Sequence, residues 1–259
     1  MYYNKSMYSQ EKTRRVQLRL LEMAKSIRDI LERHDIPYFI TYGTLLGAVR
    51  HQGFIPWDDD FDFYLLAESY GQAMMVLNDE LPDHLFLENE KTEPLYFHGW
   101  AHVKDLRSVA DCSLFPQDNS YSHRGISVDL YKATKVKECE EKVFLLNEHI
   151  NYLKRREQVG LIEPNVCKER LERLCADLEM AESIRREAEC GKDVYVFPSI
   201  YDDRLYPEEL FPLRRYRFED TEFYGPNDAD AFLKRCYGDY MKLPPVEKRV
   251  PHYSDVEFV

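Results

Sequence analysis

No stretch of this 259-residue chain approaches the eighteen or so apolar residues that a bilayer-spanning helix needs, so no transmembrane helix is expected. The opening MYYNKSMYSQEKTRR has no apolar core, so no signal peptide is expected and the compartment read from the sequence is the cytosol, cytoplasmic rather than secreted. Basic residues are in deficit. The 35 Lys and Arg face 47 Asp and Glu, and the net charge of −12 argues against non-specific binding of nucleic acid, which needs a basic surface. The six cysteines form no CxxC pair and no Cys/His zinc spacing, and reduced, buried thiols are expected. Internal repeats and low-complexity segments are missing too. What remains is 44% hydrophobic and 14% aromatic, the composition of a globular core. The length suits one large domain or a domain with a sizeable insertion.

Apolar periodicity lays out the elements. Val16, Leu20, Met23, Ala24, Ile27, Ile30 and Leu31 recur at three- and four-residue spacing, which predicts a helix over 11–33 that ends at Asp35-Ile36-Pro37. A strand over 38–42, a Gly43-Thr44 turn and a short helix over 45–51 follow, with Gly53 as its C′ residue. An acidic strand begins at Asp60. A helix is expected over 67–81, and strands over 85–87, 100–104 and 126–131. Two charged helices follow, over 137–158 and 164–189. Their apolar stripes are Leu145, Ile150 and Leu153, then Leu171, Leu174, Leu178 and Ala181, and they are ended by Gly160 and Gly191. Strands return at 194–197 and 216–218. A helix over 228–237 is closed by Gly238, and the tail from Lys242 reads as loop. The expected organisation is a core over 1–136 that includes the N-terminal helix, a helical insertion over 137–192, and a segment over 193–259 completing the same domain.

The segment YGTLLGAVRHQGFIPWDDDFDFYLL (42–66) carries the chemistry. Asp60 and Asp62 alternate with Phe61 and Phe63, so the two carboxylates share one face of a strand. Asp58 and Asp59 read as solvated turn residues. Carboxylates held side by side repel unless a cation lies between them. Oxygen-only ligands suit Mg²⁺ or Mn²⁺. Backbone N–H groups of a small-residue turn such as Gly43-Thr44 suit a phosphate. Asp129, inside the 126–131 strand, is the candidate third carboxylate. Three such groups on neighbouring strands can hold two divalent ions, with an attacking hydroxyl and a leaving phosphate in line. The combination points to a metal-dependent phosphoryl or nucleotidyl transferase.

A strand–turn–helix bearing Gly-Thr, a strand bearing Asp-x-Asp and a later strand with one more Asp is the layout of the nucleotidyltransferase (polymerase β-like) fold. The fold class expected is therefore α/β (α+β), a mixed sheet with flanking helices and a helical insertion. GTLLGAVRHQGFIPWDDDFDF and CYGDYMKLPPVEKRVPH resemble the signature of the LicD family, over about residues 25–132 and again 211–252. The fukutin-related ribitol-phosphate transferases are similar. The resemblance implies transfer of phosphocholine, or a related polyol or sugar phosphate, from a CDP-linked donor to a cell-surface glycan acceptor. A lipid-linked acceptor would bring the protein to the membrane periphery. The resemblance assigns Asp60, Asp62 and Asp129 to metal binding and catalysis, and Gly43 and Thr44 to the donor. The sequence departs from the family's Asp-Ile-Phe-Pro by reading Asp129-Leu130-Tyr131-Lys132, which bears on acceptor or head-group specificity.

Several basic residues could meet a pyrophosphate: Arg50 and His51 inside the signature, and Lys104 and Arg107 after the 100–104 strand. Arg50 and Lys104 are the donor-binding candidates. Trp57 either stacks on a base or a choline-like cation or packs against the strand. Tyr237-Gly238-Asp239-Tyr240 reads as a structural turn. Two alternatives stay open: nucleotidyl transfer to a small molecule, and a non-catalytic nucleotide- or carbohydrate-binding module. The presence of all three carboxylates weighs against the second.

Overall fold

The computed structural model describes residues 10–113, 115–197 and 204–259. The first nine residues of the stretch read for a leader lie outside them. The chain runs α1 (Gln10–Arg33), β1 (Tyr38–Ile40), α2 (Tyr42–His51), β2 (Asp62–Leu66), α3 (Ala67–Glu80), β3 (Leu85–Glu88), β4 (Ala101–Asp105) and β5 (Ser108–Cys112). It continues through β6 (Ser127–Lys137), α4 (Glu141–Gln158), α5 (Pro164–Glu187), β7 (Asp193–Val196) and α6 (Pro207–Leu210). It closes with β8 (Arg214–Phe218), β9 (Thr221–Gly225), α7 (Ala229–Tyr237) and β10 (Tyr253–Phe258). Among the described residues no helix is long and apolar enough to cross a membrane.

The expected mixed sheet with flanking helices is present. Its strand order is β1-β2-β6-β4-β3, with β7 paired to the later half of β6. Only β2 and β6 run parallel; the other pairs are antiparallel. The apolar stripe of α1 is buried as its spacing predicts, and each fully buried Leu or Ile there contributes about 2 kcal/mol. Asp35 stops the helix in a left-handed conformation (φ 52°) just before Ile36-Pro37. Phe61 and Phe63 lie together on one face of β2, rings 5.1 Å apart, and pack on Phe218 and Phe223 of the β8–β9 hairpin.

Several boundaries differ from expectation, each for a local reason. Gly43-Thr44 is not a free turn but the first turn of α2. The left-handed residue ending α2 is Gln52 (φ 57°), not Gly53. β2 starts at Asp62 rather than Asp60, because β1 ends at Ile40 opposite Phe63 and the chain then turns into α2. β6 runs on to Lys137, since its second half finds a partner in β7. Helices α4 and α5 therefore lie between two paired strands and pack against each other. Ile150, Leu153 and Ala181 of their expected stripes are buried, whereas Leu145, Leu171, Leu174 and Leu178 are half-buried. The tail is not all loop: β10 pairs antiparallel with β5. A register shift between Tyr253 and Asp255 breaks the alternation that would have marked this strand. α7 has the ends its sequence announces, an Asp228 side chain accepting from the Ala231 N–H and Gly238 in a positive-φ conformation (63°). Of the six cysteines only Cys167 is buried.

Candidate functional site

Two rows of side chains cross one face of the sheet. The polar row follows from register. Asp62 on β2 is the Cα partner of Asp129 on β6, and Asp129 is the partner of His102 on β4. Register partners present their side chains on the same face. One step along, Tyr64 partners Tyr131, their rings stacked at 4.9 Å and 17°. Trp100 continues the aromatic row, its ring 4.9 Å from that of Tyr131. The rows are tied where the Tyr131 hydroxyl donates to Asp129 Oδ2 at 3.1 Å.

The carboxylates crowd one another. Asp62 is buried, and its carboxyl is pushed well above the usual range by that burial and then by the charges of Asp60 and Asp129. Asp58 is raised likewise, by burial and by Asp60. Asp60 is thus the neighbour common to both. His252 sits 3.4 Å from Asp60 Oδ2, and ligand atoms of Asp58, Asp60 and His252 all lie within 4.8 Å of one another. The charge of Asp60, opposed by burial and helped by the Asp59 hydrogen bond, pushes His252 up to about 11, so it is a cation at neutral pH.

Behind the polar row, His102 Nδ1 lies 3.1 Å from Oε2 of Glu88, which is fully buried, and His102 Nε2 lies 3.7 Å from Asp129 Oδ1. Burial pushes His102 down to about 3 and Glu88 up to about 7. A neutral imidazole is therefore hydrogen-bonded to a buried carboxyl on one side and lies 3.7 Å from a site carboxylate on the other.

The other expected residues fall as follows. Gly43 lies against Asp58; a Cβ built there would stand 3.0 Å from Asp58 Oδ2. Thr44 is buried, and its hydroxyl accepts from the Asp62 N–H at 3.0 Å, locking the start of α2 to the start of β2. Arg50 Nη1 donates to the Tyr240 carbonyl at 2.6 Å and its Nε to His51 Nε2 at 2.9 Å, which ties α2 to the closing motif. That motif is a turn, as expected, with Tyr240 N–H donating to Gly238 O. Lys104 is not at an exposed strand end but inside β4, buried, with Nζ 3.7 Å from Glu88. Arg107 is in the β4–β5 turn, paired with Asp105 and Glu22 rather than with Asp60, Asp62 or Asp129. Trp57 is half-buried beneath the Arg249 guanidinium, 4.8 Å from its ring centre.

Sequence reasoning passed over three site residues: Asp58, Asp59 and His252. Asp59 is no solvated turn residue. It is fully buried, and Oδ1 accepts from the His252 N–H at 2.7 Å while Oδ2 accepts from the Tyr253 N–H at 3.1 Å. The signal was the alternation itself, since Asp59 has the parity of the core residues Phe61 and Phe63. A buried carboxylate demands distant donors.

The described residues whose ligand atoms converge within 4.8 Å are Asp58, Asp60 and His252, not the expected set of Asp60, Asp62 and Asp129. Asp60, Asp62 and Asp129 offer oxygens only, and Mg²⁺ or Mn²⁺ would favour the ionised forms that Asp62 resists by itself. Imidazole suits Mg²⁺ poorly, so protonated His252 fits better as a counter-charge than as a ligand.

Fold and site together define a mixed α/β protein whose sheet carries a row of carboxylates on one face. Residues 35–159 match the family model described as LicD/FKTN/FKRP, nucleotidyltransferase domain. The match spans β1 to the end of α4 and so holds Asp58 to Asp62, His102 and Asp129, while His252 lies beyond it. The chain is 25% identical over 264 residues to the lipopolysaccharide cholinephosphotransferase LicD of Haemophilus influenzae, which covers 95% of this chain and 97% of that protein. It is 25% identical over 250 residues to an uncharacterized protein of Rickettsia prowazekii, covering 93% of this chain and 63% of that one. A 61-residue stretch, 24% of this chain and 12% of the relative, is 38% identical to the human ribitol 5-phosphate transferase FKRP.

Proposed function

We propose that this protein is a cytoplasmic transferase of nucleotidyltransferase fold, with residues 137–192 as a helical insertion. In this reading it moves phosphocholine, or a related alcohol or sugar phosphate, from a CDP-linked donor to a glycan hydroxyl. The observation that carries the reading is the register of Asp62 with Asp129 on parallel strands, with Asp60 beside them. The end-to-end similarity to a cholinephosphotransferase favours phosphocholine as the group moved. Mg²⁺ or Mn²⁺, held by Asp60, Asp62 and Asp129, would neutralise charge developing on the phosphates. The residues of the chain do the rest. The backbone of Gly43 and Thr44 at the start of α2, together with Arg50, forms the donor side. The acceptor oxygen bonds to the distal phosphorus, the bond to CMP breaks, and a carboxylate of the row takes the hydroxyl proton. His102, held by Glu88, orients Asp129. An acceptor carried on a lipid would place the reaction at a membrane surface.

The test is incubation with Mg²⁺ and CDP-choline, CDP-ribitol, CDP-glycerol or CTP, reading CMP and pyrophosphate. CMP from a CDP compound supports the reading. Pyrophosphate from CTP alone would replace it with nucleotidyl transfer. In parallel, a CDP compound with Mg²⁺ should raise the melting temperature by mass action, whereas ATP should not.

A further inference from the structure

A cleft of about 910 Å³ opens beside the aromatic row, between α3, the segment 89–101 and α4. Its volume is that of a site for a sizeable organic ligand. It meets the carboxylate row at Trp100, which lines the cleft and packs at a tilt on Tyr131, whose hydroxyl donates to Asp129.

The lining says what the ligand is not. Three cations (Lys91, Lys132, Arg155) are balanced by three carboxylates (Asp79, Glu90, Glu148). A phosphate-rich ligand would call for an excess of cations, and a quaternary ammonium for an excess of acids or an aromatic cage. One face of Trp100 is already taken by Tyr131. Met74, Met75 and Leu87 give the wall apolar patches and Asn78, Asn89 and Asn151 stand among them, which suits a ring with an apolar face and polar edges better than a lipid chain.

Two atoms say what it is. His98 is buried, 2% exposed, and lines the cleft with Trp100, their ring centres 4.7 Å apart. His98 Nε2 is bonded to Asp118 Oδ1 at 2.9 Å. Burial works against the charge on Asp118, but the His98 bond holds its carboxyl below the usual range, so Nε2 is the donor. His98 Nδ1, on the other side of the ring, has no partner among the described residues. The Trp100 Nε1–H, a donor only, is also buried without a partner. Two buried nitrogens without partners, on neighbouring rings, are matched by a hydroxyl, which can accept from the indole N–H and can either donate to or accept from the imidazole. Amide side chains around a tryptophan suit a ligand with many hydroxyls.

We propose that this cleft is the acceptor subsite. It holds an uncharged saccharide against Trp100, with one sugar hydroxyl between His98 Nδ1 and Trp100 Nε1. The assignment rests on the reading of the protein as a transferase to a hydroxyl acceptor, and it adds where that acceptor lies and which residues read it.

The chain has two tryptophans, so Trp57→Phe leaves Trp100 as the sole indole reporter. Lactose, maltose and chitobiose are titrated into this variant at millimolar concentration, with choline chloride and inorganic phosphate as comparisons. Saturable change of Trp100 emission with at least one disaccharide, and none with choline or phosphate, is expected. His98→Ala should weaken that response about tenfold, and His98→Gln, which keeps a donor and an acceptor, should recover part of it. Asn151→Phe, an exposed change on α4 that fills the cleft without touching the core, should abolish it. Silence with all three disaccharides, a response to choline or phosphate in their place, or full binding by Asn151→Phe overturns the assignment. Saccharide binding without CMP release from any CDP compound leaves the cleft assigned and removes the transferase reading. CMP release without saccharide binding does the reverse.

Discussion

Asp59 accepts hydrogen bonds from the backbone N–H groups of both His252 and Tyr253, residues more than 190 positions further along the chain. This one buried carboxylate fastens the start of β10 to the segment leading into β2, and so sets His252 beside Asp60. Asp59→Ala removes the acceptor and leaves both donors unpaired. A loss of about 3 kcal/mol is expected, lowering the melting temperature by roughly 6–12 °C. Asp59→Asn, which keeps one acceptor oxygen, should lose less. Thermal denaturation decides it, and an unchanged melting temperature for Asp59→Ala would show that the clasp holds nothing.

The crowding of acids has a pH signature in the metal-free protein. His252 binds its proton more tightly folded (about 11) than unfolded (6.5). Its contribution to stability is therefore complete below about pH 6.5 and lost as pH rises through about 11. Asp58 and Asp62, raised by burial and by Asp60, also bind protons more tightly when folded. Their ionisation at rising pH costs stability in the same direction. With a chelator present, stability should fall from mildly acidic to alkaline pH, and His252→Gln should flatten the alkaline part. Denaturant midpoints across pH give the measurement. A wild type that gains stability toward pH 9 or so would contradict the sign.

Metal should reverse that slope. Binding needs ionised carboxylates, so Mg²⁺ or Mn²⁺ should raise the melting temperature more at about pH 8 than at about pH 5. Asp62→Asn and Asp129→Asn should each lose most of that gain. Calorimetry under both conditions reads it directly. Equal gains in wild type and variants would remove these two residues from metal binding.

Asp62→Asn also separates catalysis from folding. CMP release should fall by roughly a hundredfold or more, if the bound ion supplies several kcal/mol. Stability without metal should hold or rise, since one of the mutually repelling acids is gone. Full activity would exclude Asp62 from the mechanism. A collapsed fold would make it structural.

Cys139 and Cys190 lie at the base of the α4–α5 pair with their sulfurs 2.8 Å apart, though 51 positions separate them in sequence. Mild oxidation with diamide, which takes up the two protons and two electrons, should join them and lower the mass by about 2 Da. Cys139→Ser should prevent it. Peptide mapping that instead finds Cys175 linked to either partner would refute the pairing.

Much of this molecule could be read from its sequence. The stripe of α1, the ends of α7, the two helices between β6 and β7, and the placing of Phe61 and Phe63 on the face opposite Asp62 all follow from local periodicity and turn chemistry, which neighbours in the chain decide. So does the suspicion that Asp60, Asp62 and Asp129 belong together, because aspartate in an apolar strand needs a reason. Register does not follow. That Asp62 stands opposite Asp129, and Asp129 opposite His102, depends on which strands pair and by how many residues they are offset. Periodicity within one strand carries neither quantity. The burial of Asp59 and Lys104, the commitment of Thr44 to the Asp62 N–H and of Arg50 to Tyr240, and the arrival of His252 at Asp60 are likewise set by contacts between segments far apart in the chain. A charged side chain looks the same in sequence whether water or a buried partner satisfies it, and only the folded chain brings the partner.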